Sequence, residues 1–224
     1  MRFEPLRVSR STAETRFEIV LTPRSEPMPS LPLSNRMLSH LIDHFAQASG
    51  INVALTDGEW PGSWRFDHVL CEDVGQLLGR GVAAVHDARA GDSGVTGRAN
   101  AVVCMDDAES EVAVSFEQRP SAVWSLPEGA DVDGFVDAWY DDGGGQGRAY
   151  GTNLRQFVDG FSFGSGATVS VRARRTGNLH HFYETVFRAL GDAVGEALGT
   201  AVRLPGDTSG LARACRYDVR TEER

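Results

Sequence analysis

Two stretches decide the fold: Asp67-His68-Val69-Leu70-Cys71-Glu72-Asp73 and Asn178-Leu179-His180-His181-Phe182-Tyr183-Glu184. Each opens a helix with histidine and returns a carboxylate four residues later, His68 to Glu72 and His180 to Glu184. On a helix that offset puts both groups on one face about a turn apart. Outward from each stretch the same order recurs. Asn35 to Ala48 carries Met37, Leu38, Leu41, Ile42 and Phe45 at helical spacing and ends at Gly50; Ile51 to Leu55 reads as a strand, and Val69 to Val85 as a helix. In the second copy Leu154 to Phe161 is helical, Ala167 to Ala173 a strand, Gly177-Asn178 a turn and His181 to Leu198 a long amphipathic helix. Helix, strand, turn, helix occurs twice, which predicts an α+β fold of two duplicated halves, 1-105 and 106-224. Arg16 to Thr22, Asn100 to Met105 and Glu111 to Glu117 read as further strands, and the acidic, glycine-rich segment 127-151 as a loop in which Phe135 to Tyr140 pack.

Composition narrows the chemistry. The 224 residues carry a net charge of -9, and all 22 cations are arginine. Without lysine there is no Schiff-base nucleophile and no phosphate-loop lysine. The acidic balance argues against nucleic acid as a partner. Three scattered cysteines, Cys71, Cys104 and Cys215, in no C-x-x-C arrangement, read as reduced small apolar residues. No apolar run reaches the roughly 20 residues of a membrane span, and the first residues lack the apolar core of a signal peptide. The expectation is a cytoplasmic protein with no membrane partner.

A single His-x-x-x-Glu is ordinarily a solvated helix face. Two copies in a duplicated frame, with His40 on the helix before the first, point to a divalent transition metal, since neutral imidazole and carboxylate suit manganese, zinc or iron. His44 and His86 fall outside this pattern and read as surface residues.

These motifs resemble the imidazoleglycerol-phosphate dehydratase family. Arg10-Ser-Thr-Ala-Glu14-Thr15 is similar to its R-x-T-x-E-T, Met37-Leu-Ser-His40-Leu to F-L-D-H-M, and Asp67-His68 to Glu72-Asp73 to D-H-H-x-x-E-D. Met105-Asp106 resembles M-D-E, Gln118-Arg119-Pro120 resembles G-R-P, and Asn178 to Glu184 with Phe187-Arg188-Ala189 resembles N-x-H-H-x-x-E with F-K-A. The resemblance spans Arg10 to Leu211. It implies two halves of the ribosomal protein S5 domain 2-like type, each a β-sheet with helices on one face, assembled as trimers and then a cubic shell. It also implies two manganese ions between subunits, each held by three histidines and a glutamate, that stabilise an imidazolate while water is eliminated.

Carried onto this sequence, the resemblance gives His40, His68, Glu72, His180, His181 and Glu184 as metal ligands, with Glu14, Glu72 and Glu184 catalytic. Arg98, Arg119, Gln156 and Arg188 would bind substrate, and Asp67, Asp73 and Asp106 would support the ligands. The departures are Val69 for the second histidine of the first pair, Gln156 for the histidine of the later preceding helix, Ala48 at the end of the first helix, and Asp207-Thr208-Ser209-Gly210 for S-T-K-G. If the preceding-helix histidine and the second histidine of a pair serve different metals within one half, Val69 and Gln156 remove one site and leave the other complete, the simpler history. If they serve the same metal, each site keeps three ligands. The sequence therefore predicts about one metal per chain, most readily manganese, with zinc or iron as alternatives. It also predicts a dehydratase-type lyase acting on a small polar substrate, possibly an azole, in specialised metabolism. The alternatives are the histidine-biosynthetic reaction itself, or a non-catalytic assembly or ligand-binding homologue.

Overall fold

The computed structural model describes residues 2-24, 31, 33-55, 58, 66-140 and 146-201. Strands β1 (Leu6–Ser11), β2 (Arg16–Pro23) and β3 (Ile51–Leu55) form one antiparallel sheet in that order. Between β2 and β3 lies α1 (Arg36–Ser49), and after β3 comes α2 (Asp67–Asp92). The unit then repeats. Strands β4 (Arg98–Met105), β5 (Ala108–Phe116) and β9 (Ala167–Arg175) pair antiparallel in that order; α3 (Gly151–Ser165) precedes β9, and α4 (Leu179–Ala197) follows it. Added to the second copy are β6 (Ser121–Ser125), parallel to β9, and a hairpin of β7 (Val136–Tyr140) and β8 (Gln146–Tyr150). The pairing puts β4 in the second sheet, whereas a division after residue 105 assigns it to the first half.

Each sheet carries its two helices on one face, and the helices of the two halves meet, α1 against α4 and α2 against α3. Local signals set the helix ends. Asn35 caps α1, its side chain accepting from Leu38 N at 3.0 Å, and Gly50 closes it at φ 71°. Strand β5 alternates buried and half-buried residues, with Val112, Val114 and Phe116 turned onto the helices. Phe157 stacks on Phe187 at 4.9 Å, and Phe45 meets Phe161 edge-on at 5.9 Å, so aromatic rings from α1, α3 and α4 fill the centre, while α2 adds the aliphatic side chains Leu70, Val74, Leu77 and Leu78.

The segment 127-151 departs from the loop expectation. Its ends pair as β7 and β8, and the Trp139 ring covers Gly147 directly across the hairpin. The run Asp141 to Gly145 lies outside the described residues. Helix α2 continues seven residues past Val85, because a polar stretch without proline does not stop a helix. Strand β1 interleaves Leu6 and Val8 with arginine and serine, and β6 offers only the short run Ala122-Val123-Trp124, too little to announce either. Cys71 is buried, but Cys104 is exposed on β4, contrary to the apolar reading. No helix of the described residues is long and apolar enough to cross a membrane.

Candidate metal centre

The crossing of α1 and α4 is close because glycines line it. A Cβ on Gly191 would meet the Phe45 carbonyl oxygen at 2.5 Å, and one on Gly195 would meet that of Ser49 at 2.9 Å. That approach places His40 and His44, one turn apart on α1, beside Glu184 of α4. His40 Nε2 lies 2.6 Å and His44 Nε2 2.9 Å from Glu184 Oε1, and the two nitrogens are 3.2 Å apart. His180, one turn before Glu184, brings Nε2 to 3.7 Å from the same oxygen, and its ring lies 5.6 Å from that of His40. Glu184 is buried. Burial pushes its carboxyl up, but the hydrogen bonds from His40 and His44 outweigh that and hold it below the usual carboxylate range. Burial also lowers His44 below the ordinary imidazole range, more than the Glu184 hydrogen bond raises it. Arg188 Nε donates to His44 Nδ1 at 3.1 Å.

Two contacts orient the rest. His180 Nδ1 donates to Asp137 Oδ2 at 2.6 Å, leaving Nε2 free to face Glu184. The hairpin that carries Asp137 is tied to α4 by Tyr183, whose Oη lies 3.0 Å from the carbonyls of both Val132 and Gly151. Gly151 has no room for a side chain, since a Cβ would meet the Val132 carbonyl at 1.9 Å. Neither Asp137 nor His44 stands out in the sequence. Asp137 is one of many acids in its segment, and His44 gains meaning only when α4 arrives.

The group fits a divalent transition metal. Imidazole nitrogens and a carboxylate form the donor set, and their separations are those of atoms sharing a shell of radius about 2.1 Å. Glu184 Oε2 is buried without a hydrogen-bond partner, a cost that an ion would relieve. His40, His44 and Glu184 are the cluster of metal-ligating type among the described residues.

The other expected residues lie elsewhere. His181 turns away from this cluster: its Nδ1 faces Asp107 Oδ1 at 3.1 Å and its Nε2 lies 3.8 Å from Asp106, the first contact raising its pKa. His68 is exposed in the first turn of α2, its ring 5.6 Å from Phe66. Glu72 is exposed and accepts from Gln76 Nε2 at 2.9 Å; it lines a cavity of about 410 Å³ with Gln76, Gln156 and Asp159 at the α2–α3 crossing. Gln156 Oε1 is buried there without a partner. Val69 is half-buried on α2. Asp67 is half-buried and, with burial as the larger cause, pushes the Cys71 thiol up.

Asp73 is buried and accepts from Arg10 Nη1 and Thr15 Oγ1, both at 2.5 Å, locking the β1–β2 turn onto α2. Glu14 is exposed in that turn and touches neither group of histidines among the described contacts. Arg98 and Arg119 flank one end of the second sheet. Arg98 pairs with Ser115, Ser115 with Thr168, and Thr168 Oγ1 donates to the Arg119 carbonyl at 2.8 Å. Asp207 to Gly210 lie outside the described residues. His44 is not a surface residue, and neither is His86, which is buried and stacked on Phe116 at 4.8 Å.

Known proteins bear on this arrangement. The family model of imidazoleglycerol-phosphate dehydratase matches residues 34–194. The enzyme of that name from Polynucleobacter asymbioticus is 30% identical over 202 residues, covering 89% of this chain and 93% of that protein. The one from Albidiferax ferrireducens is 29% identical, covering 85% of each chain. The crystal structure from Pyrococcus furiosus superposes with a TM-score of 0.69 at 22% identity, covering 92% of this chain and 99% of that one. That from Staphylococcus aureus gives 0.64 at 18%, covering 88% and 100%. The paired histidine–glutamate motifs, the duplicated sheets and these matches agree: the chain belongs to the imidazoleglycerol-phosphate dehydratase family, a family of metal-dependent carbon–oxygen hydro-lyases.

Proposed function

We propose that this protein dehydrates imidazoleglycerol phosphate, the histidine-biosynthetic reaction, using one divalent transition metal per chain, manganese, at the α1–α4 crossing. The observation that carries the reading is the convergence of His40, His44 and His180 on the buried carboxylate of Glu184. The shared name of the relatives, at near-complete coverage of both chains, favours this substrate over an unrelated one of specialised metabolism.

When bound, the metal acts as a Lewis acid on a ring nitrogen of the substrate, which acidifies the adjacent C–H bond. The elimination breaks that C–H bond and a C–O bond: the C–H proton goes to a base, and the departing hydroxyl takes a proton from an acid group to leave as water. His40, His180 and Glu184 hold the centre, and Asp137 fixes the His180 ring so that Nε2 keeps its lone pair for the site. Glu14, on an exposed turn, serves as acid–base group in a neighbouring subunit of a trimer or shell of trimers. Arg98 and Arg119, at one end of the second sheet, take the phosphate. His68, Glu72 and Gln156 mark the place of a second metal that one imidazole, one carboxylate and an amide no longer hold.

The test is turnover of imidazoleglycerol phosphate by the manganese-loaded protein, with rescue of a histidine auxotroph and elemental analysis. Turnover with about one metal per chain is expected. A protein that holds the metal yet leaves this substrate untouched would instead act on a small polar molecule without a phosphate tail.

A further inference from the structure

We propose that His44 is itself a metal ligand, and that with it the α1–α4 site is completed within a single chain. This rests on the metal-dependent reading above.

His40 and His44 stand one turn apart on the same face of α1, with their Nε2 atoms 3.2 Å from each other and 2.6 and 2.9 Å from Glu184 Oε1. Neither nitrogen can donate to the other while both donate to the carboxylate. They are two donors aimed at one point, and one ion there replaces two protons crowded onto one oxygen. With His180, its Nε2 at 3.7 Å from that oxygen, the count is three imidazoles and a carboxylate, four protein donors that would leave a six-coordinate ion such as manganese two positions for substrate. All four come from α1 and α4 of this chain, and the buried Glu184 Oε2 has no other partner.

The matching crossing of α2 and α3 cannot do the same. Four residues after Gln156, where His44 stands relative to His40, the chain has Gly160, and a Cβ there would meet the Glu72 carbonyl oxygen at 2.4 Å. No side chain fits at that place without parting the helices.

Arg188 shows what changes on loading. A guanidinium only donates, so its 3.1 Å contact makes His44 Nδ1 the acceptor and leaves the ring proton on Nε2. A His44 that held an ion through Nε2 would carry its proton on Nδ1 instead, and Arg188 would then let go. Its guanidinium becomes available at the edge of the site, to a substrate anion.

The experiment is a titration of the chelator-treated full chain with Co²⁺, read from its d–d absorption, for wild type, His44→Gln and Arg188→Ala. The glutamine keeps a donor for Glu184 and an acceptor for Arg188 but removes the imidazole. We expect one Co²⁺ per chain in wild type, at least about tenfold weaker binding with an altered spectrum in His44→Gln, and binding no weaker than wild type in Arg188→Ala. If His44→Gln binds Co²⁺ as wild type does, with the same spectrum, His44 is only a hydrogen-bonding neighbour and the inference falls while the metal reading stands. If wild type takes up no Co²⁺, the metal reading itself falls. Co-expressed His40→Ala and Glu184→Gln chains should bind no more Co²⁺ than either variant alone. A recovered site in the mixture would mean that ligands are pooled between subunits, and would overturn the single-chain arrangement.

Discussion

His180 and Asp137 come from segments far apart in the chain and meet at 2.6 Å, imidazole Nδ1–H to carboxylate Oδ2. The contact sets the tautomer of the histidine and points its other nitrogen at Glu184. A carboxylate behind a ligating histidine raises its basicity and fixes its ring, and losing one costs about 10–100-fold in metal affinity. Asp137→Ala should therefore weaken metal binding by that factor while leaving the melting temperature of the metal-free protein nearly unchanged, since Asp137 sits on a solvated hairpin. Calorimetric titration with Mn²⁺ checks it; unchanged affinity would leave Asp137 no part in the site.

Tyr183 links that hairpin to α4 through the carbonyls of Val132 and Gly151. Tyr183→Phe removes the hydroxyl that two carbonyls share; because the Val132 carbonyl also accepts from the Phe135 amide, the cost should be about 1 kcal/mol. Because the lost contact positions the Asp137 hairpin, metal affinity should fall as well. Denaturant melts of the metal-free protein, paired with Mn²⁺ titration, separate the two effects. A stability loss with metal affinity intact would show that the hairpin holds its place without Tyr183.

What could be read from the sequence was local. Asn35, Gly50 and Asn178 announce the ends of α1 and α4 through their own backbone chemistry. The buried strands announce themselves by alternation. The spacing of His180 and Glu184 likewise places both on one helical face before any packing is known. What could not be read depends on packing between halves. His44 looks like a solvated residue of α1 until the glycines of α4 bring Glu184 and Arg188 against it. His181 has the same local credentials as His180, yet the helix rotates it toward Asp106 and Asp107. Strand β1 alternates half-buried and exposed residues at a sheet edge, which leaves too little apolar contrast to mark it.

Acid should destabilise the metal-free protein in two steps. His44 is held below the ordinary value of 6.5, so as pH falls through that value the unfolded chain takes up a proton that the folded one refuses, and stability is lost until the folded pKa is reached. Glu184 is held below 4.5, so its stabilisation, present above 4.5, is lost as pH falls through its folded pKa. His181 is raised and works in the opposite sense, but it is solvent-screened. Melting temperature in chelator from pH 8 to pH 4 should fall across the first window in wild type and less in His44→Gln. Identical profiles for the two proteins would remove His44 as the cause.

Glu14→Gln tests the acid–base assignment. The residue lies on an exposed turn away from the histidines, so its loss should leave metal content and fold intact. Turnover should drop by at least about a hundredfold, the scale of a lost general acid–base group. Comparing the rate with metal content in the same preparation gives the answer, and wild-type turnover in the variant would place the proton transfer on another group.

Asp73 separates support of the fold from support of the metal. Its motif position groups it with Glu72, but its carboxylate is buried and accepts from Arg10 and Thr15 at the β1–β2 turn, while Glu72 faces solvent. Asp73→Ala leaves a half-buried guanidinium and a buried hydroxyl without their acceptor. Breaking such a pair from one side costs about 3–5 kcal/mol when fully buried, and the partial exposure of Arg10 brings the expectation here to about 2–3 kcal/mol. Since the α1–α4 cluster shares no contact with Asp73, Mn²⁺ affinity at temperatures well below the melt should match wild type. Glu14 is carried by the same turn, so turnover should decline with Asp73→Ala even where metal content does not. A variant that loses metal affinity in proportion to nothing but its altered residue, with the melt unchanged, would return Asp73 to the metal centre and contradict its place as the clasp of the β1–β2 turn.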